Sequence, residues 1–224
     1  MISRAVPEKQ PVTIESVLQI HRERGEEIRK RLAEFHAVRQ AADDKRLFEE
    51  LVFCIFTANA SARMGLRSVE AVKDLLENAA FEELAAALNG VHRFPNARSG
   101  YIVVTREFLR QDCQMRLRER LEGFPDSIAR REWLVREKGI KGLGYKEASH
   151  FLRNIGFRGL AILDKHILNC LFELGEIKEA KPPATKTRYL EIENILKKFA
   201  EKHGFDFDEL DLVLWSLKTG EILK

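Results

Sequence analysis

Ile140-Lys141-Gly142-Leu143-Gly144-Tyr145-Lys146-Glu147-Ala148 is the stretch from which the rest of the chain can be read. Two glycines one residue apart permit a tight turn and the positive φ that a Cβ makes costly. Apolar spacings of three and four flank it, over about 127–139 and 145–156, so the pattern is helix, tight hairpin, helix. Downstream comes Leu163-Asp164-Lys165-His166, in which Asp164 suits the N-cap of a further helix.

Working outward, alternating runs are short and helical spacing recurs throughout, which predicts an all-α fold. Residues from about 13 to 38 carry one apolar stripe (Val17, Ile20, Ile28, Leu32, Phe35) on an otherwise charged outer helix. Asp43-Asp44 open a helix that Leu47, Leu51, Phe53, Ile55 and Phe56 make apolar on most faces, hence central. It runs into Thr57-Ala58-Asn59-Ala60-Ser61-Ala62, small and polar, where backbone can approach a ligand. Asn59 there equally suits a helix C-cap. Short helices are expected over about 65–78 and 81–88, and Pro95-Asn96 opens another whose more polar side holds Arg98 and Arg106, available to phosphate. Gly123-Phe124-Pro125 breaks the chain, and Asp126 or Ser127 caps the first hairpin helix, with Ile128, Trp133 and Leu134 facing inward. After the hairpin, helices are expected from Lys165, from Thr185 beyond the Pro182-Pro183 interruption, and from Asp206 or Asp208 through Trp215.

The 224 residues can bury a substantial core, as one larger domain or two small helical ones. A formal charge of +3 does not by itself imply nucleic acid, but residues 91–160 hold 15 Lys/Arg against 8 Asp/Glu, so the basic excess coincides with the hairpin. No apolar run approaches the roughly 20 residues of a membrane span, and the N-terminus lacks the layout of a secretory signal, so a cytoplasmic location is expected. Cys54, Cys113 and Cys170 lie too far apart for a disulfide framework or a metal-binding spacing and read as buried thiols.

The hairpin resembles the helix-hairpin-helix of DNA glycosylases, with the pattern Leu-Pro-Gly-Val-Gly-x-Lys-Thr-Ala. Lys141 stands where many of those proteins have proline, so a less rigid hairpin is expected, though the glycines that define the turn remain. The continuation Lys146-Glu147-Ala148-Ser149-His150-Phe151-Leu152-Arg153-Asn154 and the ending Trp215…Lys218-Thr219-Gly220…Lys224 are similar to the second type of 8-oxoguanine DNA glycosylase, found mostly in archaea and some bacteria. The likeness runs from about residue 45 to 224 and is weak before residue 40. It implies a helix-hairpin-helix glycosylase fold with two helical subdomains and the active site in the cleft between them. The hairpin motif would span about 127–156 and the central subdomain about 43–123, the remaining N- and C-terminal helices forming the second. It also implies a base-excision enzyme, a glycosylase and AP lyase acting on 8-oxoguanine in double-stranded DNA. Such an enzyme is expected to be a nucleoid-associated monomer that requires no cofactor, though hairpin carbonyls can hold a monovalent cation.

The resemblance assigns roles to particular residues. Lys146 would be the nucleophile on the sugar C1′ and form the Schiff base that permits β-elimination. At the start of a helix, in a pocket that DNA would close, the dipole and desolvation both favour its neutral amine. Asp164, 18 residues on, would steady the cationic sugar, or serve as an N-cap only. Backbone N–H groups around Gly142 and Gly144 would hold a DNA phosphate. Asn59 would enter the gap left by the flipped nucleotide, Trp215 would stack on the flipped base or be ordinary core, and the Lys224 α-carboxylate would accept the N7 hydrogen that 8-oxoguanine has and guanine lacks. Two other readings remain at this stage. One is a glycosylase for oxidised pyrimidines, whose usual four-cysteine cluster has no counterpart here, and the other is a non-catalytic hairpin protein that only grips phosphate.

Overall fold

The computed structural model describes residues 11–41 and 43–223, and among them there is no strand. Eleven helices follow in order: α1 (Ile14–Ala41), α2 (Asp44–Thr57), α3 (Ala62–Val72), α4 (Phe81–Leu88), α5 (Pro95–Cys113), α6 (Leu117–Glu122), α7 (Ser127–Arg136), α8 (Tyr145–Asn154), α9 (Lys165–Glu173), α10 (Lys186–His203) and α11 (Phe207–Thr219). The starts follow from local chemistry. Asp43 accepts from Arg46 N, Asp126 from Ala129 N, Thr185 from Arg188 N and Asp206 from Asp208 N, each satisfying a backbone N–H that the helix itself cannot. Pro95 occupies the first turn of α5. The helix expected over 65–78 is displaced: α3 starts at Ala62 behind the Ser61 cap and stops at Val72, and turns follow to residue 78.

Apolar side chains gather into two cores. The first takes Leu47, Leu51, Val52, Phe53 and Phe56 of α2, with side chains of α3 to α7 and Ala148, Phe151 and Leu152 of α8. The second takes Val17, Ile28 and Phe35 of α1 with the inner faces of α9, α10 and α11. The chain crosses from one to the other between Leu160 and Ala161. Helix α8 belongs to both, since Tyr145 at its start packs on the second core. Its end is docked by a close approach: Gly156 has φ 86°, and a Cβ there would lie 2.8 Å from Phe35 O.

A buried ion pair ties this junction together. Arg131 of α7, fully buried, donates to both carboxylate oxygens of Glu193 on α10 at 2.7 and 2.9 Å, and its Nη1 also donates to Ser149 Oγ on α8 at 3.1 Å. Glu193 accepts in addition from Ala161 N at 2.7 Å, and the Tyr189 hydroxyl donates to Ala161 O at 2.7 Å. Burial alone would push the Arg131 guanidinium down, and the Glu193 carboxylate more than reverses that. Removing one partner strands a buried charge, so Arg131→Met is expected to cost about 3–5 kcal/mol in denaturant unfolding. A double variant with Glu193→Leu should recover most of that loss, and an equal loss in the single and double variants would show that the pair does not carry the effect.

Candidate active site

The hairpin between α7 and α8 is held against α5. Gly142 has φ 79°, and a Cβ there would lie 2.7 Å from the Tyr101 ring. Lys141 N donates to Thr105 Oγ1 at 3.0 Å. The N–H that a proline would lack therefore docks the hairpin, and rigidity comes from this bond. Gly144 departs from the expected left-handed turn: with φ −100° it is the extended N-cap of α8. Its N–H donates to Glu147 Oε2 at 3.2 Å. Among the described residues, no backbone hydrogen bond is accepted by the carbonyls of Lys141, Gly142 or Leu143.

Lys146 is the second residue of α8, partly exposed, with Nζ 3.0 Å from Glu147 Oε1. Beside it, Tyr145 donates its hydroxyl to Glu132 at 2.8 Å and rests on the Tyr189 ring, centroids 5.4 Å apart. Burial first, and then the hydrogen bond to Glu132, raise the Tyr145 phenol above its ordinary value. Asp164 caps α9, its Oδ1 accepting from His166 N at 2.8 Å and Ile167 N at 2.9 Å. Lys146 and Asp164 make no ion pair with each other. They are related through the buried network: Ser149 lies three residues after Lys146, Ala161 lies three before Asp164, and Arg131 with Glu193 joins the two.

Asn59 follows the C-cap of α2 with φ 57°, exposed, which is the left-handed position that asparagine tolerates. The turn that presents it is braced from the loop before α5 and from the first turns of α5. Arg93 donates to Asn59 O, Arg98 donates to Ala58 O, and a His92 ring nitrogen meets Phe56 O at 3.0 Å, which together cover the carbonyl end of α2. Burial is the main cause that lowers the His92 imidazole below its usual value. Phe94 lies 39% exposed next to these groups, with the Arg93 guanidinium 4.5 Å from its ring centroid.

The arginines overturn one expectation. Arg98 and Arg106 are both buried, and Arg106 donates to the carbonyls of Leu76 and Ala79 at 3.0 and 2.9 Å, pinning the turn after α3. Arg130, Arg131 and Arg153 are buried too, so five of the fifteen basic residues in 91–160 serve the interior and the basic surface is smaller than the count implied. Ile128 is 50% exposed instead of facing inward. Cys54 and Cys170 are buried, the latter thiol pushed by burial up to about 12, whereas Cys113 is half-buried.

Trp215 of α11 is partly buried, its ring edge-on to His166 at 6.3 Å, two residues from Asp164. One turn earlier, Asp211 is buried with Arg153 Nη1 3.6 Å away, and burial pushes its carboxyl up to about 6 against the pull of that guanidinium. Lys224 lies outside the described residues. Glu147, Phe94 and Asp211 are residues of this region that local spacing did not single out. A signal existed for Glu147, since glutamate three residues after an N-cap reaches back to it.

An all-helical chain with two cores, a glycine hairpin docked between helices and a lysine directly behind it is a helix-hairpin-helix protein of DNA-glycosylase architecture. The family model described as 8-oxoguanine DNA glycosylase matches residues 28–205. An 8-oxoguanine DNA glycosylase/AP lyase of Korarchaeum cryptofilum is 45% identical over 198 residues, covering 88% of this chain and 90% of the relative. One from Methanocaldococcus jannaschii is 41% identical over 198 residues, with 88% and 91% covered. Among solved structures, the Methanocaldococcus jannaschii 8-oxoguanine glycosylase/lyase in complex with a 15mer DNA containing 8-oxoguanine superposes with a TM-score of 0.86 at 39% identity, covering 94% of this chain and 99% of that one. The Thermotoga maritima 8-oxoguanine DNA glycosylase gives 0.83 at 39% identity, covering 94% and 97%. The chain belongs to the 8-oxoguanine DNA glycosylase family. Among its described residues, no helix is long and apolar enough to cross a membrane.

Proposed function

We propose that this protein excises 8-oxoguanine from duplex DNA and then cleaves the abasic strand by β-elimination through a Schiff base on Lys146. The observation that carries the reading is the position of Lys146: second residue of α8, directly behind the docked hairpin and at the junction of the two cores. The N–H groups at the start of α8 suit a phosphate, which would hold the sugar near the amine without reading sequence. The carbonyls of Lys141, Gly142 and Leu143 would hold a monovalent cation there, adding positive charge toward that phosphate.

In this reading the neutral Lys146 amine attacks C1′, and the glycosidic bond breaks with its electron pair leaving on the base. Asp164 supplies negative charge to the cationic sugar. Asn59, presented by its braced turn, fills the space of the flipped nucleotide, with Phe94 beside it. Trp215 offers a flat surface to the flipped base in place of its lost stacking. The test is single-turnover base release and borohydride trapping on duplexes holding 8-oxoguanine, an oxidised pyrimidine or undamaged guanine. Release and a trapped adduct are expected with 8-oxoguanine, and a chain that binds all three duplexes without releasing a base overturns the reading.

A further inference from the structure

Glu147 follows Lys146 in the chain, and its carboxylate is seated on the amine. Oε1 lies 3.0 Å from Lys146 Nζ, while Oε2 accepts from Gly144 N at 3.2 Å. The side chain is 13% exposed. One oxygen of this carboxylate is thus pinned by the hairpin and the other is free to work on the amine. The groups that touch it are the Gly144 N–H and Lys146 Nζ on its own helix, and the Arg98 guanidinium of α5 acts on it electrostatically. Asp164, the other carboxylate of the reading, makes no ion pair with Lys146.

The amine attacks C1′ as the neutral nucleophile. The use of Glu147 comes one step later. Once bonded to C1′, Nζ carries two hydrogens, a positive charge and no lone pair with which to open the sugar ring.

We infer that Glu147 is a catalytic residue of the lyase half-reaction: it takes a proton from Nζ of the sugar adduct and hands it to the ring oxygen O4′. The Nζ–H bond breaks, its electron pair stays on Nζ, and the proton goes to Glu147 Oε1. The Nζ lone pair then closes a C1′=N double bond as C1′–O4′ breaks with its electrons on O4′. O4′ takes the proton from Glu147, which is left as the carboxylate it began as. The products are the protonated Schiff base and an open sugar with a hydroxyl at O4′, so one proton has moved and no co-reactant is required. The inference rests on the Schiff-base reading above.

The experiment compares the native protein with Glu147→Gln, Glu147→Ala and Lys146→Gln on an 8-oxoguanine duplex and on a duplex with a pre-formed abasic site. Glutamine at this position still reaches the Gly144 N–H, so the start of α8 is kept. At pH 7, trapping and strand cleavage at the abasic site are expected to fall about 100-fold in Glu147→Gln, and base release by no more than about tenfold. Between pH 7 and 9 trapping by this variant should climb more steeply than native trapping, because hydroxide takes over the proton. Glu147→Ala should show the same split. Native trapping in Glu147→Gln, or an equal fall of trapping and release with no steeper pH profile, overturns the role of Glu147 while Lys146→Gln fails to trap. An adduct that survives Lys146→Gln overturns the Schiff-base reading and this inference with it.

Discussion

Lys146→Gln is expected to abolish the borohydride-trapped adduct and to lower base release by about a thousand-fold or more, with duplex affinity kept within about tenfold. The size follows from the position of the amine. Glutamine has no nucleophilic nitrogen, so on the proposed mechanism the covalent route closes completely, and what would remain is the electrostatic help of Asp164 and the grip on the flipped nucleotide. Affinity should survive because Lys146 is already paired with Glu147 and the hairpin groups proposed to hold phosphate are backbone N–H groups. The loss of one positive charge near phosphate accounts for the modest weakening. Fold should survive as well, since α8 is anchored by Ala148, Phe151 and Leu152, none of which the substitution touches. Trapping is read on a denaturing gel with an 8-oxoguanine duplex, and affinity by fluorescence anisotropy on the same duplex. A variant that still forms the adduct would place the nucleophile elsewhere.

The sequence showed the helices well where the deciding contact is local. Asp126, Thr185 and Asp206 each cap a helix two or three residues away, and the apolar runs of α2 and α11 reach the core they pointed to. Lys146 and Asp164 were singled out by the motif that the chain resembles, and the structure puts the first at the start of α8 and the second at the cap of α9. What stayed hidden is long-range. Arg106 looks like a surface residue on α5 because periodicity assigns charge to solvent, yet its acceptors are carbonyls 27 and 30 residues away. Arg98 likewise closes on Ala58 O, 40 residues upstream, and Arg131 on Glu193, 62 downstream. A buried guanidinium can satisfy several distant carbonyls at once, and no local pattern announces which ones. Glu147 was hidden differently: its capping bond to Gly144 gives it an ordinary structural reason to be there, and only the folded geometry of the first turn of α8 puts its second oxygen on Lys146. Gly144 itself was expected to turn the chain through positive φ, but Gly142 suffices for that and Gly144 starts the helix.

Asp164→Asn is expected to slow single-turnover excision of 8-oxoguanine by about 10²–10³-fold while leaving the protein folded. The cap that Asp164 makes and the catalytic role proposed for it are separable because its oxygens are used differently. Oδ1 accepts from His166 N and Ile167 N and holds the start of α9, whereas Oδ2 accepts no hydrogen bond among the described residues. Asparagine ranks with aspartate as an N-cap, so its carbonyl can keep the two backbone bonds; the lost charge at the helix start costs only about 0.3–1 kcal/mol of stability. On the proposed mechanism the same lost charge would matter far more to a sugar that turns cationic as the glycosidic bond breaks, in a site that bound DNA would close to water. Asp164→Ala removes the cap as well, so it should match Asp164→Asn in rate and lie below it in thermal midpoint, by the 0.5–2 kcal/mol typical of a lost N-cap. Rates on a duplex with one 8-oxoguanine and thermal unfolding of the three proteins make the comparison. If Asp164→Asn excises at the native rate, the carboxylate is a helix cap and nothing more, and the charge that steadies the sugar must come from another residue.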